Sequence, residues 1–277
     1  MSITRSITRP ITNRLSRTLT APGVGGGFNP ASLFAAGEQG AWYDPSDFST
    51  MFQDAAGTTP VTASGQLVGK MLDKSGNGLH VTSVSDAVRP TLQTVNGRYA
   101  LVGTGTHYLA RSGGGNYPVF TLVGAASKSV ETGINGWFAD RQTSQGGFGT
   151  YTNNAGVFAQ IHNGSSYADI NSTALTLQAN VPYVQVVGYN GTAAYTGKNG
   201  GQEQSKTLTF TPDVNAQFNI MGDPGVGYWN GAFFGCVYVN RTLTDSEKGW
   251  LNQYYFSNAN IRPLIAVGDS HTFNNSY

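Results

Sequence analysis

The sequence predicts an all-β, antiparallel sandwich with an extended N-terminal arm and one short C-terminal helix. Three observations carry that prediction. Charged residues make up 11% of the 277 and glycine numbers 37, a turn-rich balance far from the Ala, Glu, Lys and Leu excess of helical repeats and coiled coils. The apolar segments between Ala41 and Ile220 are brief, rich in Val, Phe, Tyr and Thr, and separated by Gly, Asn, Asp and Ser, as strands joined by tight turns are. Asn163-Gly164, Asn190-Gly191 and Asn199-Gly200 read as hairpin signals, because both central positions of a type I′ turn need positive φ.

Along the chain, residues 2–17 repeat a Ser-Ile-Thr-Arg unit. It spaces Ile3, Ile7 and Ile11 four apart, interleaves Arg5, Arg9 and Arg14, and ends on Leu15 and Arg17. Ile and Thr favour helix poorly and Pro10 interrupts the run. Residues 1–20 therefore read as a basic extended arm that orders only on a larger assembly, against the alternative of plain disorder, followed by a Gly-rich linker over 21–27. Asn29 before Pro30 supplies an N-cap and first-turn pair, so a short helix runs from Pro30 to about Ala36 and stops at Gly37. The clearest strands are Val119–Val123, Val157–Ile161, Tyr183–Tyr189, Phe218–Met221 and Phe233–Val239, and their alternation suits two sheets packed face to face.

Thr244-Asp245-Ser246-Glu247 is a capping box that starts a helix of about ten residues. On it Trp250, Leu251, Tyr254 and Tyr255 cover one broad face that must pack on the sandwich. A last strand, Leu264 to Val267, ends at Gly268-Asp269-Ser270-His271.

The net charge of +1 argues against a domain-wide nucleic-acid footprint. The four arginines ahead of Glu38 nevertheless leave a basic arm on a faintly acidic body, and arm and body should meet different partners. Cys236, the only cysteine, lies in an apolar run and reads as a buried small hydrophobe, excluding an intrachain disulfide and a thiolate zinc cluster. No stretch approaches a membrane span or the apolar core of a signal peptide, so the chain reads as soluble, with no membrane insertion. Five Asn-x-Ser/Thr triplets begin at Asn163, Asn171, Asn190, Asn240 and Asn274, and these read as turn chemistry.

The run from Tyr228-Trp229-Asn230-Gly231 through Phe233-Phe234-Gly235-Cys236-Val237-Tyr238-Val239 to Asn240-Arg241-Thr242-Leu243-Thr244-Asp245-Ser246-Glu247 resembles the closing signature of the laminin-G / concanavalin A-like jelly rolls. The opening, Phe28-Asn29-Pro30 with Gly40-Ala41-Trp42-Tyr43-Asp44-Pro45 and Asp73-Lys74-Ser75-Gly76-Asn77-Gly78, looks like that of tailed-bacteriophage virion proteins carrying such a domain. The resemblance implies a jelly-roll sandwich over 28–256, on a tail fibre, tailspike or baseplate, anchored to other virion proteins through residues 1–20. A trimer and attachment to host-surface polysaccharide go with it; a capsid decoration protein is the alternative. Leu264-Ile265-Ala266-Val267-Gly268-Asp269-Ser270 looks like the first block of the SGNH (GDSL-type) esterases, which makes 257–277 a linker and the first strand of a missing domain. A serine needs a base and oxyanion donors to act, and neither His80, His107 nor His162 stands in an Asp-x-x-His. Ser270 is therefore a catalytic candidate, for glycan deacetylation, only in a longer chain.

No catalytic cofactor is implied. Asp44, Asp47 and Asp54 are the acids that a structural calcium would use, against the alternative that loop aspartates cap backbone amides. Sugar binding needs exposed aromatics beside planar polar side chains, and Tyr151, Tyr167, Tyr195, Tyr228 and Trp229 lie near turns. Any of these is also a residue that a sandwich of this size would bury.

Overall fold

A computed structural model describes residues 28–261 apart from 116, 130–132, 142–145, 154–155, 172–176, 214–215 and 224–225. The arm, the linker and residues 262–277, with Ser270, lie outside the described residues. In chain order the strands are β1 (Gly40–Tyr43), β2 (Met51–Phe52), β3 (Lys70–Met71), β4 (Val81–Thr82), β5 (Thr91–Val95), β6 (Arg98–Thr104), β7 (Leu109–Ser112), β8 (Phe120–Lys128), β9 (Asn135–Asp140) and β10 (Phe148–Asn153). They continue with β11 (Gly156–His162), β12 (Tyr167–Asn171), β13 (Tyr183–Tyr189), β14 (Ala193–Lys198), β15 (Gln204–Thr207), β16 (Gln217–Ile220), β17 (Gly222–Asp223), β18 (Gly227–Tyr228) and β19 (Asn230–Val239), and helix α1 (Asp245–Asn258) follows.

Two antiparallel sheets form the sandwich. Sheet A runs β15-β14-β13-β8-β19-β6-β5, with β1 also on β19, and sheet B runs β12-β11-β10-β9-β16-β7-β4-β3-β2. Between them lies an aromatic core: Phe120 stacks on Phe148 at 4.0 Å, Phe138 meets Phe218 edge-on at 4.8 Å, and Tyr238 touches both phenylalanine pairs. Rings in such offset and edge-on contact add to the energy of their burial. Cys236 is buried in this core, and burial pushes its thiol well up.

The five expected strands are present. Their alternation is weaker than two layers require, because sheet A is covered on its other face too. Val123, Ala125, Val184, Val186, Val237 and Val239 pack there with Leu251 and Tyr255 of α1, with Ala259 at its C-cap, and with Leu33 and Phe34. All nine residues of β8 are therefore buried, as in sheets with both faces occupied.

The turn chemistry has two outcomes. Asn199 (φ 54°) and Gly200 (φ 70°) both take positive φ between β14 and β15, as a type I′ turn needs. Asn96 (φ 51°) and Gly97 (φ 75°) do the same between β5 and β6. Asn163 and Asn190 instead keep negative φ and accept backbone amides two and three residues on, from Ser165 and Ser166 and from Thr192 and Ala193. That is the Asx-turn route to the same reversal.

The first helix is a 3₁₀ segment, Pro30–Phe34, capped by Asn29. The capping box closes as expected, with the Glu247 amide donating to Thr244 Oγ1 (3.2 Å) and the Thr244 amide to Glu247 (2.8 Å). Arg241 grips the same carboxylate at 2.7 and 3.0 Å and reaches Glu38 at 3.4 Å, so the Arg241 bonds hold Glu247 down at about 2. Helix α1 runs 14 residues, longer than expected. Leu251 and Tyr255 form its buried face, while Trp250 is 37% exposed on its flank against Phe28.

Candidate functional site

The face of sheet B turned away from sheet A is polar, and cross-strand register assembles it. On β11 Val157, Ala159 and Ile161 enter the core, and on β12 Ile170 does. The alternate residues Gln160, His162, Tyr167 and Asp169 consequently point outward. Register sets Gly149 beside Gln160 and Gln160 beside Asp169, and sets His162 beside Tyr167.

Beneath the surface of this face lies a hydrogen-bonded ion pair. Arg141 Nη1 reaches Asp223 Oδ2 at 3.0 Å, the Tyr151 hydroxyl at 3.0 Å and Gln160 Oε1 at 3.3 Å, and the Tyr151 hydroxyl donates to Asp223. Gln160 then donates to Asp169 at 3.1 Å, which carries the network from the buried pair out to an exposed carboxylate. Glycine makes this geometry, since a Cβ at Gly149 would overlap the Tyr151 hydroxyl. Burial, then Asp223, pushes the Tyr151 phenol well up, so it stays protonated as a donor. Tyr167, 58% exposed, stands beside buried His162 with ring centres 5.6 Å apart.

The five aromatics singled out in the sequence do not converge. Tyr167 alone among them is broadly exposed. Tyr151 and Trp229 are 0% exposed, so neither ring has a free face for a sugar. The first spans glycine-floored strands into the ion pair, and the second donates to the Ala232 carbonyl at 3.2 Å. Tyr195 is buried on the opposite side of the molecule, on the helix-covered face of sheet A, bonded to Thr121 at 2.9 Å. Tyr228 is half-buried and stacked on Tyr108 at 4.8 Å. Proximity to a turn was a poor guide to exposure because the strands carrying these residues run under other elements. Gln160 and Asp169 went unnoticed in the sequence. Their strand pairing through the Asn163-Gly164 turn was the signal that could have found them.

The three aspartates considered for calcium do not share a site. Asp44 and Asp47 both bind Lys74, at 3.2 and 2.9 Å, and Asp44 also accepts from Tyr254 at 2.8 Å. Asp54 caps its own loop, taking the amides of Gly57 and Thr59 at 2.8 and 2.7 Å, and the amide bonds, Thr58 first, hold its carboxyl well below the usual range. Among the described residues no group of three or more His, Cys, Asp or Glu is arranged to hold a metal ion. No described helix is long and apolar enough to cross a membrane.

No protein-family model matches the chain, and no curated protein matches it. Solved structures do. An arabinofuranosidase of glycoside hydrolase family 54, soaked with 4-nitrophenyl α-L-arabinofuranoside, is similar with TM-score 0.56 at 12% identity. An arabinofuranosidase complexed with arabinofuranosyl-α-1,2-xylobiose is similar with TM-score 0.57 at 11% identity. Each alignment covers 84% of this chain and 65% of the other. The binding domain of botulinum neurotoxin serotype D is similar with TM-score 0.50 at 14% identity, over 66% of this chain and 49% of that one. The chain thus spans about two thirds of the arabinofuranosidase chains and half of the neurotoxin one. At these identities the likeness establishes the fold alone, an antiparallel β-sandwich.

Proposed function

We propose that this protein is a virion component that binds a host-surface glycan through the outer face of sheet B, around Tyr167, Gln160 and Asp169, while residues 1–20 anchor it to the particle. The observation that carries the reading is the opposed placement of ends and face. Phe28 packs on Trp250 and Ile261 follows α1, so both described ends leave from the helix side of sheet A. Tyr167 and Asp169 lie across the sandwich from them. A module held by that side presents its polar face outward.

The chemistry of the face suits a sugar: an exposed phenol ring for the apolar ring face, beside a carboxamide and a carboxylate for hydroxyls. Two of the similar structures were solved with arabinofuranosides, which supports a saccharide as the ligand class. The virion setting rests on the phage-like motifs and the basic arm.

One experiment tests both halves. Particles are assembled with the parent chain, with a chain lacking residues 1–20, and with Tyr167→Ala, then scored for incorporation and for adsorption to host cells. Loss of the arm should abolish incorporation, and Tyr167→Ala should incorporate normally while adsorbing at least about tenfold more weakly. Full incorporation without the arm overturns the anchor, and undiminished adsorption by Tyr167→Ala overturns the adhesive face.

A further inference from the structure

On the other side of the molecule, a trough of about 1020 Å³ runs beside α1, at the upper end of the size range of small-ligand sites. Its floor is the outer face of sheet A at Val186 and Gly197, its end is the Asn199-Gly200 turn, and its wall is α1. The wall residues are Gly249, Asn252, Gln253 and Phe256, spaced i, i+3, i+4 and i+7 as one helix face requires.

Two features of this wall are not accounted for by packing within the fold. Gly249 lies inside α1, where glycine weakens a helix, yet a Cβ built there meets nothing within 4 Å. Alanine would fit and would strengthen the helix, so packing does not demand the glycine; close approach of something in the trough to the helix backbone would. Asn252 is 7% exposed, and its Nδ2 donates to the Lys248 carbonyl at 2.9 Å. Its Oδ1 is shielded from solvent and has no hydrogen-bond partner among the described residues, although buried acceptors are ordinarily satisfied, so a ligand in the trough reaches it only when the side chain turns.

Charge narrows the ligand class. Lys248 is paired with Glu203 at 2.8 Å and Asp245 at 3.1 Å and Arg98 offsets the second carboxylate, so the charged side chains of the lining balance and carboxamides and one phenyl ring are the chemistry of the central wall. Arg98 reaches the trough from the exposed start of β6, next to the Asn96-Gly97 turn. We propose that the trough beside α1 is a second ligand site, distinct from the outer face of sheet B, that takes an uncharged oligosaccharide lying against Gly249. Carboxamides serve sugar hydroxyls as both donor and acceptor, and half-buried Phe256 adds an apolar group to the lining.

The full chain is titrated with arabinotriose, xylohexaose and maltohexaose, and with sialyllactose as the acidic counterpart, following backbone amide shifts. At least one neutral probe should move the amides of Asn199, Gly200, Gly249 and Asn252, whereas shifts confined to 160–171 would report the opposite face and count against the trough. Gly249→Ala should raise Tm by about 2–4 °C and weaken that probe at least about tenfold, a combination that a purely structural glycine cannot produce. The proposal is overturned if no neutral probe moves those amides at about 10 mM, where even a millimolar site fills. It is also overturned if Gly249→Ala binds as well as the parent, or if sialyllactose alone binds and Arg98→Gln abolishes it.

Discussion

The two outer faces of this sandwich are built from the same kind of strand and solved in opposite ways. On sheet A the outward residues are mostly valine and alanine with Trp42, Tyr195 and Phe234, and a third layer of α1 and the 3₁₀ segment removes them from water. On sheet B they include Tyr151, Gln160 and Asp169, tied by hydrogen bonds to Arg141, just past the end of β9, and through it to Asp223 on β17 of the separate two-stranded β17-β18 sheet. An apolar face obtains its stability from burial and has to be covered. A polar face can remain partly open, because its buried members are paired and its outer members are hydrated. The open face is therefore the one free to meet a ligand directly, and on the covered face a ligand has to use the space the third layer leaves beside it.

The sharpest break of this contrast is Leu251→Ala on α1. Removing a fully buried leucine should cost about 3–4 kcal/mol in urea unfolding, by lost transfer energy plus cavity. A loss below about 1 kcal/mol would mean that α1 is an accessory and sheet A does not depend on its cover.

Asp223→Ala, on β17 beside sheet B, is the matching break on that side. It leaves the buried Arg141 guanidinium without that partner and should cost about 3 kcal/mol, whereas Tyr167→Ala, on the exposed end of the same face, should move stability by less than about 0.5 kcal/mol. Equal costs for the two would show that the network does not grade from structural to exposed in the way its burial implies.

Asp140 sharpens the comparison from inside, since it is an acid on the inner face of sheet B. It bonds Tyr238 at 2.7 Å and the Gly115 amide at 3.0 Å, yet burial pushes its carboxyl up to about 6. A carboxyl raised on folding binds its proton more tightly in the folded state, so stability falls as pH rises from about 4 to about 6 and is level above that. Thermal unfolding should therefore show the parent gaining on the order of 2 kcal/mol between pH 7 and pH 4.5, and Asp140→Asn should lack that gain. A parallel pH profile for the variant would assign the dependence to other groups.

Much of the architecture was legible in the sequence because it is local. The Thr244–Glu247 capping box, the Asn29 N-cap and the Asn199-Gly200 turn each depend on residues within four positions of one another, where backbone preference decides the outcome. The helix ran past its expected end because nothing local stops it before Asn258. The exposure of the aromatics was not legible. Tyr151 and Tyr167 both sit on outward positions of sheet B, yet one is sealed beneath Asp223 and Arg141 and the other is open.

What the sequence by itself determined is the class: short strands with period-two patterning, glycine and asparagine at the reversals, and one capped helix make an all-β sandwich whatever its partners. Tertiary structure alone decided which sheet received a third layer, which tyrosine kept a free ring, and that Val186, Asn199, Gly249 and Asn252 would border one space. The physical reason is separation along the chain. A turn is chosen by interactions among neighbouring residues, but a face is exposed or covered only by segments that arrive from tens to hundreds of positions away, such as Asp223 over Arg141 and Tyr151, and no local preference encodes that arrival.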